Sequence, residues 1–153
     1  MLILAKPKRI WTVPHFCIFM KRKTTVSRDL MIKPTRTSFG VEFLFSEGIL
    51  RFSGDSYPEN SVDFFLPLLQ WVSEFVTYPC KNVTVELRVK YFNTSTSKYL
   101  FQIMELLQTY HAKGNELNIT WFSQGNDDDV LETWRELMHE LDLSFDVINE
   151  SHV

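Results

Sequence analysis

The clearest pattern in the chain is at Val83–Tyr91. Val83, Val85, Leu87, Val89 and Tyr91 alternate there with Thr84, Glu86, Arg88 and Lys90. A two-residue period puts the apolar set on one face of a strand, and the polar set means that the other face is at least partly wet. Val41, Phe43 and Phe45 alternate in the same way with Glu42 and Leu44. Ser46-Glu47-Gly48 then reads as a turn and Ile49–Ser53 as a second strand, which together predict a β-hairpin. Gly54–Asn60 (GDSYPEN) is dense in turn formers and is expected to be a loop.

From Ser61 to about Tyr78 the period lengthens. Val62, Phe65, Leu69, Val72 and Val76 recur at three- and four-residue steps, the spacing of one helix face. Asn60 or Ser61 can cap this helix, Pro67 is expected to kink it and Pro79 to end it. After an expected loop at Phe92–Ser97, a second helix runs to about Ala112 on the stripe Leu100, Ile103, Met104, Leu107, Tyr110 and His111, with Gly114 at its C-terminal end. Leu117, Ile119 and Trp121 alternate in a further strand. Asp127–Leu141 predicts a third helix with acids at its positive end, and Leu143–Ile148 a closing strand.

The order β-β-α-β-α-β-α-β predicts an α/β (α+β) fold. Strand–helix–strand crossovers imply parallel pairs with right-handed connections. The expected product is a small mixed sheet of four to five strands, Val83–Tyr91 central, with helices mainly on one face. Phe65, Leu69, Leu87, Val89, Ile103, Leu107, Ile119 and Trp121 are the expected core.

Charge changes the picture at the N-terminus. Residues 1–30 hold seven basic residues and one acid, whereas residues 31–153 carry a net charge of −9. The acidic body excludes a nucleic-acid partner, because phosphate contacts need clustered Lys and Arg. The apolar run Ile10–Met20 is too short to span a bilayer, is interrupted by Pro14 and has no small-residue cleavage site after it, so neither membrane insertion nor secretion is expected. Residues 1–30 read as a basic, poorly ordered extension from an upstream start, ahead of one domain at 31–153. A chain starting at Met31 is therefore expected to keep the fold. Two cysteines, Cys17 and Cys80, make no disulfide framework and fit a reducing, cytoplasmic setting.

Catalytic constellations are weak. The chain has no phosphate loop, GxGxxG, GxSxG or HExxH pattern. His15, His111, His139 and His152 lack metal-ligand spacing. His111 reads as a histidine at the core edge, and His139 as part of a solvated helix face. Asp127-Asp128-Asp129 could suggest a metal hydrolase, but acids in a first helical turn cap free backbone donors, and the EF-hand spacing is absent. Cys80 follows Pro79 with no activating neighbour. No metal, cofactor or enzymatic role is expected.

The segment Tyr91-Phe92-Asn93-Thr94-Ser95-Thr96-Ser97-Lys98 stands apart, with four consecutive hydroxyl residues between a strand and a helix. One of the hydroxyls is expected to cap the helix, which leaves the others without a structural duty. A phosphate there would meet free backbone donors and the positive helix end, and would add about −1.5 to −2 charges. A small-molecule or nucleotide-binding protein, holding an anion on the helix N-terminus after Asn93–Ser97, is the alternative reading. Only Lys98 supplies positive charge to it.

Gly54-Asp55-Ser56-Tyr57-Pro58-Glu59-Asn60-Ser61, Pro67-Leu68-Leu69-Gln70-Trp71 and Tyr91-Phe92-Asn93-Thr94-Ser95 together resemble the SiaC family, over about Lys33 to Glu150. These small bacterial regulatory phosphoproteins are similar in architecture to STAS-domain anti-sigma-factor antagonists. The resemblance implies a STAS-like fold and a partner-switching role in signal transduction. A cognate Ser/Thr kinase modifies a threonine in the Asn-Thr-Ser turn and a PP2C-type phosphatase reverses it. The unmodified form binds and activates a diguanylate cyclase (a GGDEF protein), raising cyclic di-GMP and favouring biofilm. The position carries over to Thr94, with Asn93 and Ser95 as partner-binding neighbours. The family turn usually reads Asn-Thr-Ser-Ser, so Thr96 is a departure and, with Ser95, a secondary candidate acceptor.

Overall fold

The computed structural model describes residues 28–79 and 82–150. Among them, six strands form one sheet in sequential order: β1 (Leu30–Ile32), β2 (Gly40–Leu44), β3 (Ile49–Ser56), β4 (Val83–Phe92), β5 (Leu117–Ser123) and β6 (Asp146–Asn149). β1, β2 and β3 pair antiparallel, while β3, β4, β5 and β6 pair parallel. The three parallel crossovers are made by helices α1 (Ser61–Phe75), α2 (Thr94–Ala112) and α3 (Asp128–Glu140). Right-handed crossovers in sequential order put all three on one face.

The β2–β3 hairpin is closed by Gly48 at φ +68°, and a Cβ there would meet the carbonyl oxygen of Asn82 at 2.1 Å. Only glycine fits that approach. On the helix side of the sheet, Val83, Val85, Leu87 and Val89 of β4 are fully buried. Much of the core is aromatic. Phe39, Phe43, Phe45, Phe52, Trp71, Phe75 and Tyr78 make a chain of ring contacts with centroids 5.0–5.9 Å apart, mostly edge-to-face, the geometry that aromatic quadrupoles favour.

The opposite face carries a ladder of charge. Arg51 on β3 reaches Glu42 at 2.8 Å and Glu86 at 2.7 Å, and Arg88 on β4 reaches Glu150 at 3.2 Å. The Arg88 guanidinium also lies 3.8 Å from the Phe122 ring centroid. Hydrogen bonds from Arg88 and Gln124 hold the Glu150 carboxyl below the usual carboxylate range. This explains the polar half of the alternation in β4: these side chains satisfy one another across strands on a face that no helix of the described residues covers.

Several expectations are corrected in detail. The sheet has six strands rather than four or five, because β1 lies partly inside the segment read as an extension. The expected boundary at residue 30 cuts through this strand. Arg28 and Asp29 are anchored as well. Trp71 Nε1 donates to the Arg28 carbonyl at 2.6 Å, Asp29 accepts from the Phe45 amide at 2.9 Å, and Arg28 pairs with Glu74 at 2.9 Å. On α1 the buried face is Phe65, Leu68, Val72 and Phe75, so Leu69 is only half-buried and Val62 is exposed. The helix runs as one element through Pro67, which sits on its exposed side. His111 is exposed, its Nδ1 2.8 Å from the Asn115 carbonyl, while Tyr110 takes the inner position. Asp127 occupies the N-cap position of α3 but turns its buried carboxylate inward, accepting from Trp121 Nε1 and Ser123 Oγ at 2.8 Å each. The run Ile10–Met20, His15, Cys17, Cys80 and His152 lie outside the described residues.

Two measurements check this account. Leu87→Ala removes a fully buried side chain at the centre of the sheet and is expected to cost about 2–5 kcal/mol in urea melts. A loss under about 1 kcal/mol would mean that the site collapses around the missing atoms. A chain beginning at Met31 is expected to melt several degrees below one beginning at Arg28, since it lacks the partners of Trp71, Phe45 and Glu74. Coincident midpoints would show that those contacts carry no stability.

Candidate functional site

The parallel pairing of β3 with β4 brings two strand-to-helix turns to one end of the sheet. β3 ends at Ser56 and leads through Tyr57–Asn60 into α1, while β4 ends at Phe92 and leads through Asn93 into α2. The pairing slips once on the way. Gly54 faces Val89, but Asp55 faces Tyr91, so Lys90 is an extra residue in β4. Gly54 stands at φ +88°, in the left-handed region. Such a bulge shifts the side-chain parity downstream. Tyr91, which the alternation put with the apolar set of β4, is therefore half-exposed and Phe92 is buried. Tyr91 meets exposed Tyr57 edge-on, centroids 6.0 Å apart.

Asn93 leaves the strand in an extended conformation, φ −92° and ψ 179°, and caps α2. Its Oδ1 accepts from the Thr96 amide at 2.9 Å, and its carbonyl from the Ser97 amide at 3.0 Å. The cap is thus Asn93 and not one of the hydroxyls, and α2 begins at Thr94 rather than after Ser97. The loop expected at Phe92–Ser97 is largely the first helical turn.

The four hydroxyls have four different environments. Thr96 is fully buried. Its Oγ1 lies 2.7 Å from Ser56 Oγ and donates to the Ser56 carbonyl at 3.1 Å. Ser95 Oγ donates to Ser61 Oγ on α1 at 2.7 Å, which joins the starts of the two helices. Ser97 Oγ donates back to the Thr94 carbonyl at 2.8 Å. Thr94 is exposed, and its hydroxyl makes no hydrogen bond among the described residues. The candidate residues Asn93, Thr94, Ser95 and Thr96 are therefore brought together in one turn, and among its four hydroxyls only that of Thr94 is without a hydrogen bond among the described residues.

The turn can receive an anion on the N–H groups of a first helical turn, which lack intrahelical partners. Exposed Lys98 is its one basic residue. Among the described residues no group of three or more His, Cys, Asp and Glu could hold a metal ion, and no helix is long and apolar enough to cross a membrane.

Sequence reasoning missed Ser56 and Ser61, which hold the turn from neighbouring elements, and the exposed apolar side chains of Tyr57, Val62 and Leu66 nearby. The GDSYPEN segment carries two of these residues, Ser56 and Tyr57, but nothing in it marks the serine as pointing inward.

Comparison with known proteins gives one consistent result. A family model described as SiaC family regulatory phosphoprotein matches residues 32–150. An uncharacterised protein of Pseudomonas aeruginosa is 30% identical over 117 residues, covering 76% of this chain and 93% of its own. The crystal structure of apo-SiaC from Pseudomonas aeruginosa is similar at a TM-score of 0.72 and 29% identity, over 78% of this chain and 98% of that one. A chain of the crystal structure of the diguanylate cyclase SiaD in complex with its activator SiaC, from the same organism, is similar at a TM-score of 0.74 and 29% identity, over 80% of this chain and all of that one.

Asn93→Ala removes the acceptor for the Thr96 amide and is expected to cost about 1 kcal/mol in urea melts, with Asn93→Asp retaining most of it. Equal losses for both variants would show that the side chain matters here through something other than capping.

Proposed function

The chain belongs to the SiaC family of regulatory phosphoproteins, and from that premise we propose that it is a non-catalytic, cytoplasmic phosphoswitch whose acceptor is Thr94. The observation that carries this reading is the contrast within the turn: the Thr94 hydroxyl is exposed and unengaged, while those of Ser95, Thr96 and Ser97 are already bonded. A cognate Ser/Thr kinase adds phosphate there and a PP2C-type phosphatase removes it. The unmodified form docks on and activates a diguanylate cyclase through the surface around Asn93, Thr94 and Ser95. The complex between SiaD and its activator SiaC supports a partner of that class.

The switch is electrostatic. Unmodified, the turn presents neutral hydrogen-bonding groups and the exposed rings of Tyr57 and Tyr91. Aromatic anchors beside polar contacts are the usual make-up of a docking surface. Phosphate adds about −1.5 to −2 charges to a body that already carries a net −9 over residues 31–153. Covering that charge with a partner strips its water, and where no cation answers it the cost is on the order of several kcal/mol. A micromolar complex, worth about 8 kcal/mol, is lost at cellular concentrations by such a change. No backbone rearrangement is required.

Thr94→Ala is expected to fold with a midpoint close to wild type, to resist modification and to keep activating the cyclase in the presence of kinase and ATP. Thr94→Glu is expected to weaken activation only in part, since a carboxylate has less charge and fewer acceptor oxygens than phosphate. The check is phosphate mapping by fragmentation mass spectrometry beside a cyclic di-GMP assay. Phosphate on another residue would overturn the acceptor, and cyclase activity indifferent to modification would overturn the switch.

A further inference from the structure

We propose that Thr96 and Ser56 are positioning residues that aim the Thr94 hydroxyl. This inference rests on Thr94 being the acceptor, and it assigns Thr96, an equally good acceptor by residue type, the opposite duty.

The hydrogen bonds assign themselves. A hydroxyl has one hydrogen. Thr96 Oγ1 spends its hydrogen on the Ser56 carbonyl at 3.1 Å, so the 2.7 Å contact between the hydroxyls is Ser56 Oγ donating to Thr96 Oγ1. The Ser56 carbonyl accepts a second bond from the Asn93 amide at 3.1 Å, which fills both of its lone pairs. Asn93 and Thr96 are in turn joined by the cap bond at 2.9 Å. The two residues that bracket Thr94 and Ser95 are therefore both pinned to one residue at the end of β3, and the segment between them can only arch outward.

Helix α2 does not need this arrangement in order to start, because the Asn93 cap suffices. Burying two hydroxyls costs free energy unless each is bonded, and an apolar pair would fill the same space without that requirement. The hydroxyl pair does what an apolar pair cannot: it fixes the direction of the first turn through bonds of defined length and angle. Phosphoryl transfer depends on that direction, since a nucleophile displaced by about 1 Å can lose about a hundredfold in rate. Full burial also withholds Thr96 from the kinase, so the tether both positions one threonine and removes its rival.

The isosteric change Thr96→Val removes both hydroxyl bonds while keeping the volume. Full-length wild type, Thr96→Val, Thr96→Ser and Ser56→Ala are incubated with ATP and a kinase fraction, from the source cells, that modifies the wild type. Initial rates are measured well below each variant's melting midpoint, with phosphate located by fragmentation. The expected result is a fall of about tenfold or more in kcat for Thr94 in Thr96→Val, recovery to near wild type in Thr96→Ser, and a smaller fall in Ser56→Ala. Amide exchange at Thr94 and Ser95 is expected to quicken in the slowed variants. A merely structural role would lower the midpoint of Thr96→Val and leave its rate at wild type, which would overturn the inference while Thr94 stood as acceptor. Should Thr96→Val not fold, Ser56→Ala decides by the same readout. Wild-type phosphate on Thr96 would overturn both the inference and the reading beneath it.

Discussion

The parallel pairing of β3 with β4 is the constraint on which the rest of the structure depends. Parallel neighbours end at the same edge of a sheet, and each must then turn into a crossover helix. That places the starts of α1 and α2 side by side, close enough for Ser95 to bond Ser61 and for Thr96 to bond Ser56. An antiparallel arrangement of the same strands would separate these groups by the length of the sheet. Two strands and two helices meet at the turn Asn93–Ser97, and its backbone is tied to the end of β3 and the start of α1 on either side of the exposed hydroxyl.

The one irregularity in that pairing has a visible consequence. With Lys90 in regular register, the period of β4 would carry Tyr91 inward and Phe92 outward. The bulge turns Tyr91 out beside Tyr57 and closes the core with Phe92. It also lets Ser56 sit opposite Phe92, in register with the start of α2. A bulge of this kind re-aims side chains at the rim of a sheet, where binding surfaces lie.

This irregularity also marks where the sequence stops being legible. The strands and helices that carry a clear signal were readable: β2, β4 and β5 from alternation, α1 and α2 from their apolar stripes, α3 with the acids at its start, and with them the α/β class. The failures are local and have physical causes. β1 is three residues long and follows a run of basic charge, so it shows no period. Leu68 and Leu69 are equivalent by type, and the rotation of α1 about its axis decides which one is buried. The cap of α2 went to Asn93 because its side chain reaches the Thr96 amide from outside the helix, whereas the hydroxyls lie within the first turn. At the site itself, the Asn-Thr-Ser turn was readable by its resemblance to a family. The fates of its four hydroxyls were not, since they are set by Ser56 and Ser61, which are distant in sequence.

The division of labour among those hydroxyls bears on how the proposed switch can be built from so little. Four adjacent residues of nearly the same chemistry would offer a kinase four targets if the turn were loose. The fold separates them by satisfying three: one against the end of β3, one against the start of α1, and one against the carbonyl of Thr94 itself. A bonded hydroxyl must give up that bond before it can attack, and a buried one must also reach solvent. Selectivity for a single acceptor can therefore come from the substrate's own hydrogen bonds, with no side chain reserved for discrimination. The same economy would keep the proposed switch reversible. Because the free hydroxyl holds nothing together, adding a phosphate to it breaks no internal bond, and removing it restores the same surface.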